Sequence, residues 1–110
     1  LAEFVEITLE QGATFNTVIT VNDANGATKN LVGYTARSQM RKSYYSSSAK
    51  DFTVSVSSPG IGEITMGMSA ANTANLTPGR YLYDVEIDDG SGVVTRIFEG
   101  IAVVLPNVTR

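Results

Sequence analysis

Leu76-Thr77-Pro78-Gly79-Arg80-Tyr81-Leu82-Tyr83-Asp84-Val85-Glu86-Ile87 is the stretch on which the reading of the fold turns. From Tyr81 onward Tyr83, Val85 and Ile87 alternate with Asp84, Glu86 and Asp88, the period of two that marks a strand with one wet face. Pro78-Gly79 turns the chain into that strand, and Leu76 anchors the approach from the core. Tyr81 sits where a hydroxyl can bond back to the backbone upstream. The alternative is that Tyr81 and Tyr83 are simply half-buried strand aromatics. Both readings leave a β-structure.

Working outward, the same period dominates and helical periodicity is nearly absent. Phe4 to Leu9 reads as a first strand with Val5, Ile7 and Leu9 on one face, and Phe15 to Val21 as a second, rich in Thr, Val and Ile. Asn22-Asp23-Ala24-Asn25-Gly26 is a dense turn signal. Tyr34 to Arg41 carries Tyr34, Ala36, Ser38 and Met40 on one face and Thr35, Arg37, Gln39 and Arg41 on the other. Phe52 to Val56, Ile61 to Met68, Val93 to Phe98 and Ile101 to Leu105 complete the set. A bulge is expected at Glu99-Gly100. Ser69 to Asn75 has helical flavour, and Ser69 can cap one turn, but the run is too short for a helix stable by itself.

Turn signals every eight to twelve residues, with seven to eight mostly antiparallel strands, predict an all-β protein: an immunoglobulin-like β-sandwich, residues 1–110 forming one domain. In such sandwiches a tyrosine near the start of the penultimate strand pins the crossover between sheets, the role open to Tyr81, with Leu76, Pro78 and Gly79 completing the corner.

The 110 residues contain no cysteine and no histidine and carry a net charge of −3. No Ser-His-Asp or Cys-His arrangement is therefore possible within the chain, and soft metal ligands are missing. Phosphate-binding glycine signatures are absent too. Asp84, Glu86 and Asp88 share a face, yet read as the solvated side of a strand, and Asp88-Asp89-Gly90 lacks the ligand spacing of a calcium loop. The sequons at Asn75 and Asn107 are at chance level. Catalysis, cofactors, metals and a small-molecule substrate are not expected. A scattered set of eight Lys and Arg residues gives no field for nucleic acid. Ile101 to Leu105, the longest apolar run, is far short of a membrane span, and no basic-then-apolar leader precedes Phe4.

If the third and penultimate strands are sheet neighbours, Arg37 and Arg41 lie across from Asp84 and Glu86 as cross-strand ion pairs. Lys42 to Asp51, with four serines plus Tyr44 and Tyr45, reads as an exposed loop and a candidate contact surface.

Taken in order, Gly12-Ala13-Thr14-Phe15, Asp23-Ala24-Asn25-Gly26, Asn30-Leu31-Val32-Gly33-Tyr34-Thr35-Ala36-Arg37-Ser38-Gln39-Met40-Arg41 and Gly62-Glu63-Ile64-Thr65-Met66 form a recognisable series. It continues through Ser69 to Leu76, Pro78 to Glu86 and Gly92 to Gly100, and closes on Val103-Val104-Leu105-Pro106-Asn107-Val108-Thr109-Arg110. This resembles the small immunoglobulin-like proteins encoded among tailed-phage structural genes, and is similar to the N-terminal domain of phage baseplate upper proteins. The resemblance runs from about Gly12 to Arg110. It implies a component of the phage virion, in tail, baseplate or neck, assembled in the host cytoplasm against other virion proteins or as a homo-oligomer. It supplies no catalytic residues. The loop from Ser43 to Lys50 is longer than in the shortest members.

Exposed strand edges can add strands in an assembly. Phe4 to Leu9 is the expected place: its Val5, Ile7 and Leu9 face needs covering, and another subunit is the expected cover. The rival is a carbohydrate- or receptor-binding module, for which Tyr44 and Tyr45 would be the platform.

Overall fold

The computed structural model describes residues 3–23, 25–43 and 45–108. The strands are β1 (Glu3–Phe4), β2 (Ile7–Glu10), β3 (Phe15–Thr20), β4 (Thr35–Arg41), β5 (Lys50–Asp51), β6 (Thr53–Ser58), β7 (Glu63–Met68), β8 (Gly79–Asp88) and β9 (Val94–Leu105). A 3-10 turn covers Pro59–Ile61, and a single α-helix, α1, covers Ala70–Ala74.

The strands form two sheets. In the larger the order is β1-β9-β8-β4-β5, with β2 following β1 along the same edge of β9; the smaller is β3-β7-β6. Only β1 and β2 run parallel to their neighbour, and every other pair is antiparallel. Second, fifth and fourth chain segments on one sheet, facing the third and the last two on the other, is the connectivity of an immunoglobulin-like sandwich. The nine strands are seven continuous runs, because two of them break. In one, β1 and β2 separate at Val5-Glu6. In the other, β5 pairs with β4 in the large sheet while β6 pairs with β7 in the small one. Buried Phe52 is the hinge of that change of sheet, its N–H donating to the Ser38 carbonyl at 3.0 Å.

Alternation decides what is buried. Tyr81, Tyr83, Val85 and Ile87 of β8, Ala102 and Val104 of β9, Met40 of β4, and Ile64, Met66 and Met68 of β7 all point between the sheets and are buried. Phe52 packs at 6.0 Å from Phe15 and 6.4 Å from Tyr83, ring centre to ring centre, filling the middle of the sandwich with aromatic area.

Among the departures from the sequence reading, two have a clear physical cause. The strand expected from Ile61 starts at Glu63, because the chain first coils through the 3-10 turn and exits at Gly62 with φ 70°. A Cβ there would stand 2.7 Å from the carbonyls of both Val21 and Lys29, so only glycine fits. The bulge expected at Glu99-Gly100 lies at Ile97 instead. Val85 pairs with Phe98 and Glu86 with Arg96, leaving Ile97 as the extra residue of one unbroken strand.

The short helix forms despite its length. The Ser69 hydroxyl caps it by accepting from Asn72 N–H at 3.2 Å. Thr73, fully buried, ties it to the β2–β3 turn: its Oγ1 donates to the Ala13 carbonyl at 2.8 Å and accepts from Gly12 N–H at 3.1 Å. Tertiary contacts supply what an isolated turn lacks.

Candidate functional site

The corner comes first, since it positions β8. The Tyr81 hydroxyl donates to the Thr77 carbonyl at 2.7 Å, four residues upstream, while Leu76 is buried, Pro78 is exposed and Gly79 opens β8. Lys42 caps the same ring, its Nζ 4.3 Å from the ring centre. These contacts fix where β8 leaves the turn, and therefore which residues it sends to either side.

Those it sends outward, with their neighbours on β9 and β4, make the most differentiated surface of the described residues. In the upper half it is ionic. Arg37 Nε donates to Glu86 Oε1 at 2.9 Å, as expected from strand neighbourhood. Arg41 does not join an acid, because its register partner is Leu82; its guanidinium donates to the Ser46 carbonyl at 2.7 Å and to Gln39 Oε1 at 3.2 Å. Asp84 is held instead by Arg96 of β9 at 3.4 Å, and Arg96 also reaches Glu99 at 3.3 Å. The expectation of cross-strand ion pairs from both arginines thus holds for Arg37 and is corrected for Arg41.

These groups surround a shallow depression of about 300 Å³ over Asp84, Glu86, Glu99 and Arg96. Partial burial, with Glu86 next, pushes the Asp84 carboxyl above its usual range, and Arg96 only partly offsets this. Two arginines already face these carboxylates, and among the described residues no group of three or more acidic side chains is placed to hold a metal ion.

Below the ionic half the same face turns aliphatic. Leu82 of β8 and Ile101 and Val103 of β9 point outward and are half-buried, and Leu105 is exposed. Neither core cluster includes them. No layer of the described chain covers this face, an unusual place for aliphatic side chains on an antiparallel sheet with one solvated side. Sequence reasoning missed this row because Ile101 to Leu105 reads as one continuous apolar run, with nothing to say which residues face out.

The other predicted contact residues scatter. Phe4 is exposed on β1. Val5 is half-buried, Ile7 packs on the core, and Leu9 is fully buried, so the face of the first strand that was expected to seek another subunit is covered by its own domain. The burial has a simple cause: β1 and β2 lie along β9 at the edge of the large sheet, with this face toward the core. Tyr45 is 97% exposed, and Tyr44 lies outside the described residues.

A second opening of about 480 Å³ lies between the sheets where β9 runs past β1, lined by Asp23, Lys29, Tyr34, Val93 and Ile97 among others. Lys29 Nζ stands 5.6 Å from the Tyr34 ring centre there.

No protein-family model and no curated protein matches the chain. Solved structures do. The chain is similar to part of an internalin-like protein of Listeria monocytogenes, with a TM-score of 0.51 and 17% identity over 94% of this chain and 28% of that one. It is also similar to part of a family 123 glycoside hydrolase from Clostridium perfringens, studied for hydrolysis of glycolipid glycans, with a TM-score of 0.41 and 14% identity over 98% of this chain and 24% of that one. The chain spans about a quarter of the length of each. At such identity the first likeness speaks for the fold alone, a β-sandwich, and the second carries no argument. No helix of the described residues is long and apolar enough to cross a membrane.

Proposed function

We propose that this chain is a non-enzymatic structural protein of a tailed-phage virion, belonging to tail, baseplate or neck, and that it works by protein–protein assembly. One observation carries the assembly part of the reading. Leu82, Ile101, Val103 and Leu105 form an aliphatic strip on an uncovered sheet face, bordered by charged residues. An apolar centre with a polar rim is the anatomy of a protein interface. The phage part rests on the sequence resemblance from Gly12 to Arg110. The test is incorporation into particles. Ile101→Lys/Val103→Lys should keep a thermal midpoint within about 5 °C of the parent, because both side chains point outward, and should be lost from purified particles. Absence of the parent chain from such particles removes the phage reading; undiminished incorporation of the variant removes the assembly face.

A receptor- or carbohydrate-binding reading has one observation in its favour, the full exposure of Tyr45. Its signature is a glycan affinity that Tyr45→Ala abolishes.

A further inference from the structure

We propose that two copies of this chain pair face to face through the outer surface of the large sheet, about a two-fold axis running along the strands between β8 and β9. The inference rests on the assembly reading above and names its partner: a second copy of the same chain.

The argument begins from register. Leu82 is level with Ile101 on one side and with Arg41 on the other. On the far side of β9, Ile7 is level with Ala102, so exposed Glu6 stands beside Ile101. Across the sheet one row therefore reads Glu6, Ile101, Leu82, Arg41: acid, aliphatic, aliphatic, base. At about 4.8 Å per strand the row is roughly 14 Å wide.

A two-fold axis through the middle of that row reverses it. Arg41 of one copy then stands over Glu6 of the other, and Leu82 over Ile101, twice over. An isologous interface requires a surface complementary to its own reversed image, and this row has that property. Among the described residues the Arg41 guanidinium has only neutral oxygens as partners, the Ser46 carbonyl and Gln39 Oε1. It is therefore a cation with no carboxylate of its own among the described residues. One row further on, Thr8, Val103 and Arg80 are level. The reversal lays the aliphatic stem of Arg80 across Val103 of the other copy.

The row on the opposite side sets the limit of the contact. Asp84 and Glu99 are level, so reversal brings the acid of one copy over the acid of the other. Arg96, bonded to both, tempers this repulsion without removing it. The interface is thus centred on the Ile101–Leu82 row and opens toward Glu99, as the packing twist of two facing sheets allows.

The experiment is sedimentation velocity on the full chain across concentration, with the thermal midpoint of each variant as a control for folding. The parent should approach twice the chain mass of 11.7 kDa as concentration rises. Glu6→Arg and Arg41→Glu should each weaken association at least about tenfold. The double variant Glu6→Arg/Arg41→Glu should restore it, which a merely structural role for either residue would not do. Glu99→Gln should tighten it. A parent that is monomeric at every concentration overturns the proposal, and so does an oligomer that ignores the single charge reversals. Either failure leaves the assembly reading to be judged separately, by whether the Ile101→Lys/Val103→Lys variant still enters particles.

Discussion

The hydroxyl of Tyr83 donates to the carbonyl of Val5 at 2.6 Å, joining residues 78 positions apart across the width of β9. Between them stands Gly100, level with Tyr83 on β8. A side chain at Gly100 would collide with the Val5 carbonyl. The first strand breaks at this point because the Val5 carbonyl turns to take the phenol, while Val5 N–H still pairs with the Glu99 carbonyl at 2.9 Å. One missing side chain, one buried phenol and one strand break are a single device, and it holds the N-terminal edge strand on its own sheet.

Tyr83→Phe keeps the ring in the core and leaves the Val5 carbonyl without its donor. The expected loss is about 1–2 kcal/mol in denaturant unfolding. Burial pushes the Tyr83 hydroxyl up to about 12 from an ordinary value of 10. A folded value above the unfolded one means that the stability is fully present below pH 10. It is lost as pH rises from 10 through 12. Parent and Tyr83→Phe stability curves should therefore converge over that window. Curves that stay parallel from pH 9 to 12 would show that the phenol is not shielded.

Gly100→Ala asks the same question from the other side. The added methyl has to push Val5 off its seat, so β1 and β2 should loosen together. About 1–3 kcal/mol of stability should go, with faster amide exchange at Val5 and at Ile7 to Glu10, measured by hydrogen–deuterium exchange. Unchanged exchange in those residues would mean that the edge strand is held mainly by Leu9 and not by the break.

Thr73 is the equivalent device at the opposite end of the sandwich. Its Oγ1 answers both Gly12 N–H and the Ala13 carbonyl from a fully buried position. Thr73→Val is close in shape and removes both partners, at an expected cost of about 2 kcal/mol. Thr73→Ser keeps the hydroxyl and should recover most of it. A larger loss in Thr73→Ser than in Thr73→Val would assign the effect to the methyl group and to packing.

The strands and their buried faces were legible because alternation is local: Tyr83, Val85 and Ile87 against Asp84 and Glu86 needs no knowledge of any other strand. The Tyr81 corner was legible for the same reason, with its acceptor four residues away. The Arg37–Glu86 pair followed once the two strands were taken as neighbours. Contacts set by register between distant strands were not legible. Arg96 reaches Asp84 only because the extra residue at Ile97 shifts the β8–β9 pairing by one and brings Arg96 level with Glu86. The capture of the first strand depends on Gly100 lying beside Tyr83, a coincidence of register that no single segment displays. The outward row of Leu82, Ile101 and Val103 was hidden in the same way, since a continuous apolar run does not declare its faces.

Asp84 gives the last prediction, and its sign runs against the intuition that an ion-paired carboxylate stabilises. It is bonded to Arg96, yet partial burial and the neighbouring Glu86 and Glu99 raise its carboxyl above the ordinary 3.8. A carboxyl that is harder to ionise in the folded chain than in the unfolded one favours the fold when protonated. That contribution is present below pH 3.8 and is lost as pH rises through the raised value. At pH 7 the ionised Asp84 is therefore a net cost, and Asp84→Asn should raise the thermal midpoint there. The gain should shrink toward zero near pH 3, where Asp84 carries its proton in both states. Thermal unfolding of the two proteins at pH 7 and pH 3 decides the matter. A variant less stable than the parent at pH 7 would mean that the Arg96 bond outweighs burial and the two neighbouring acids together.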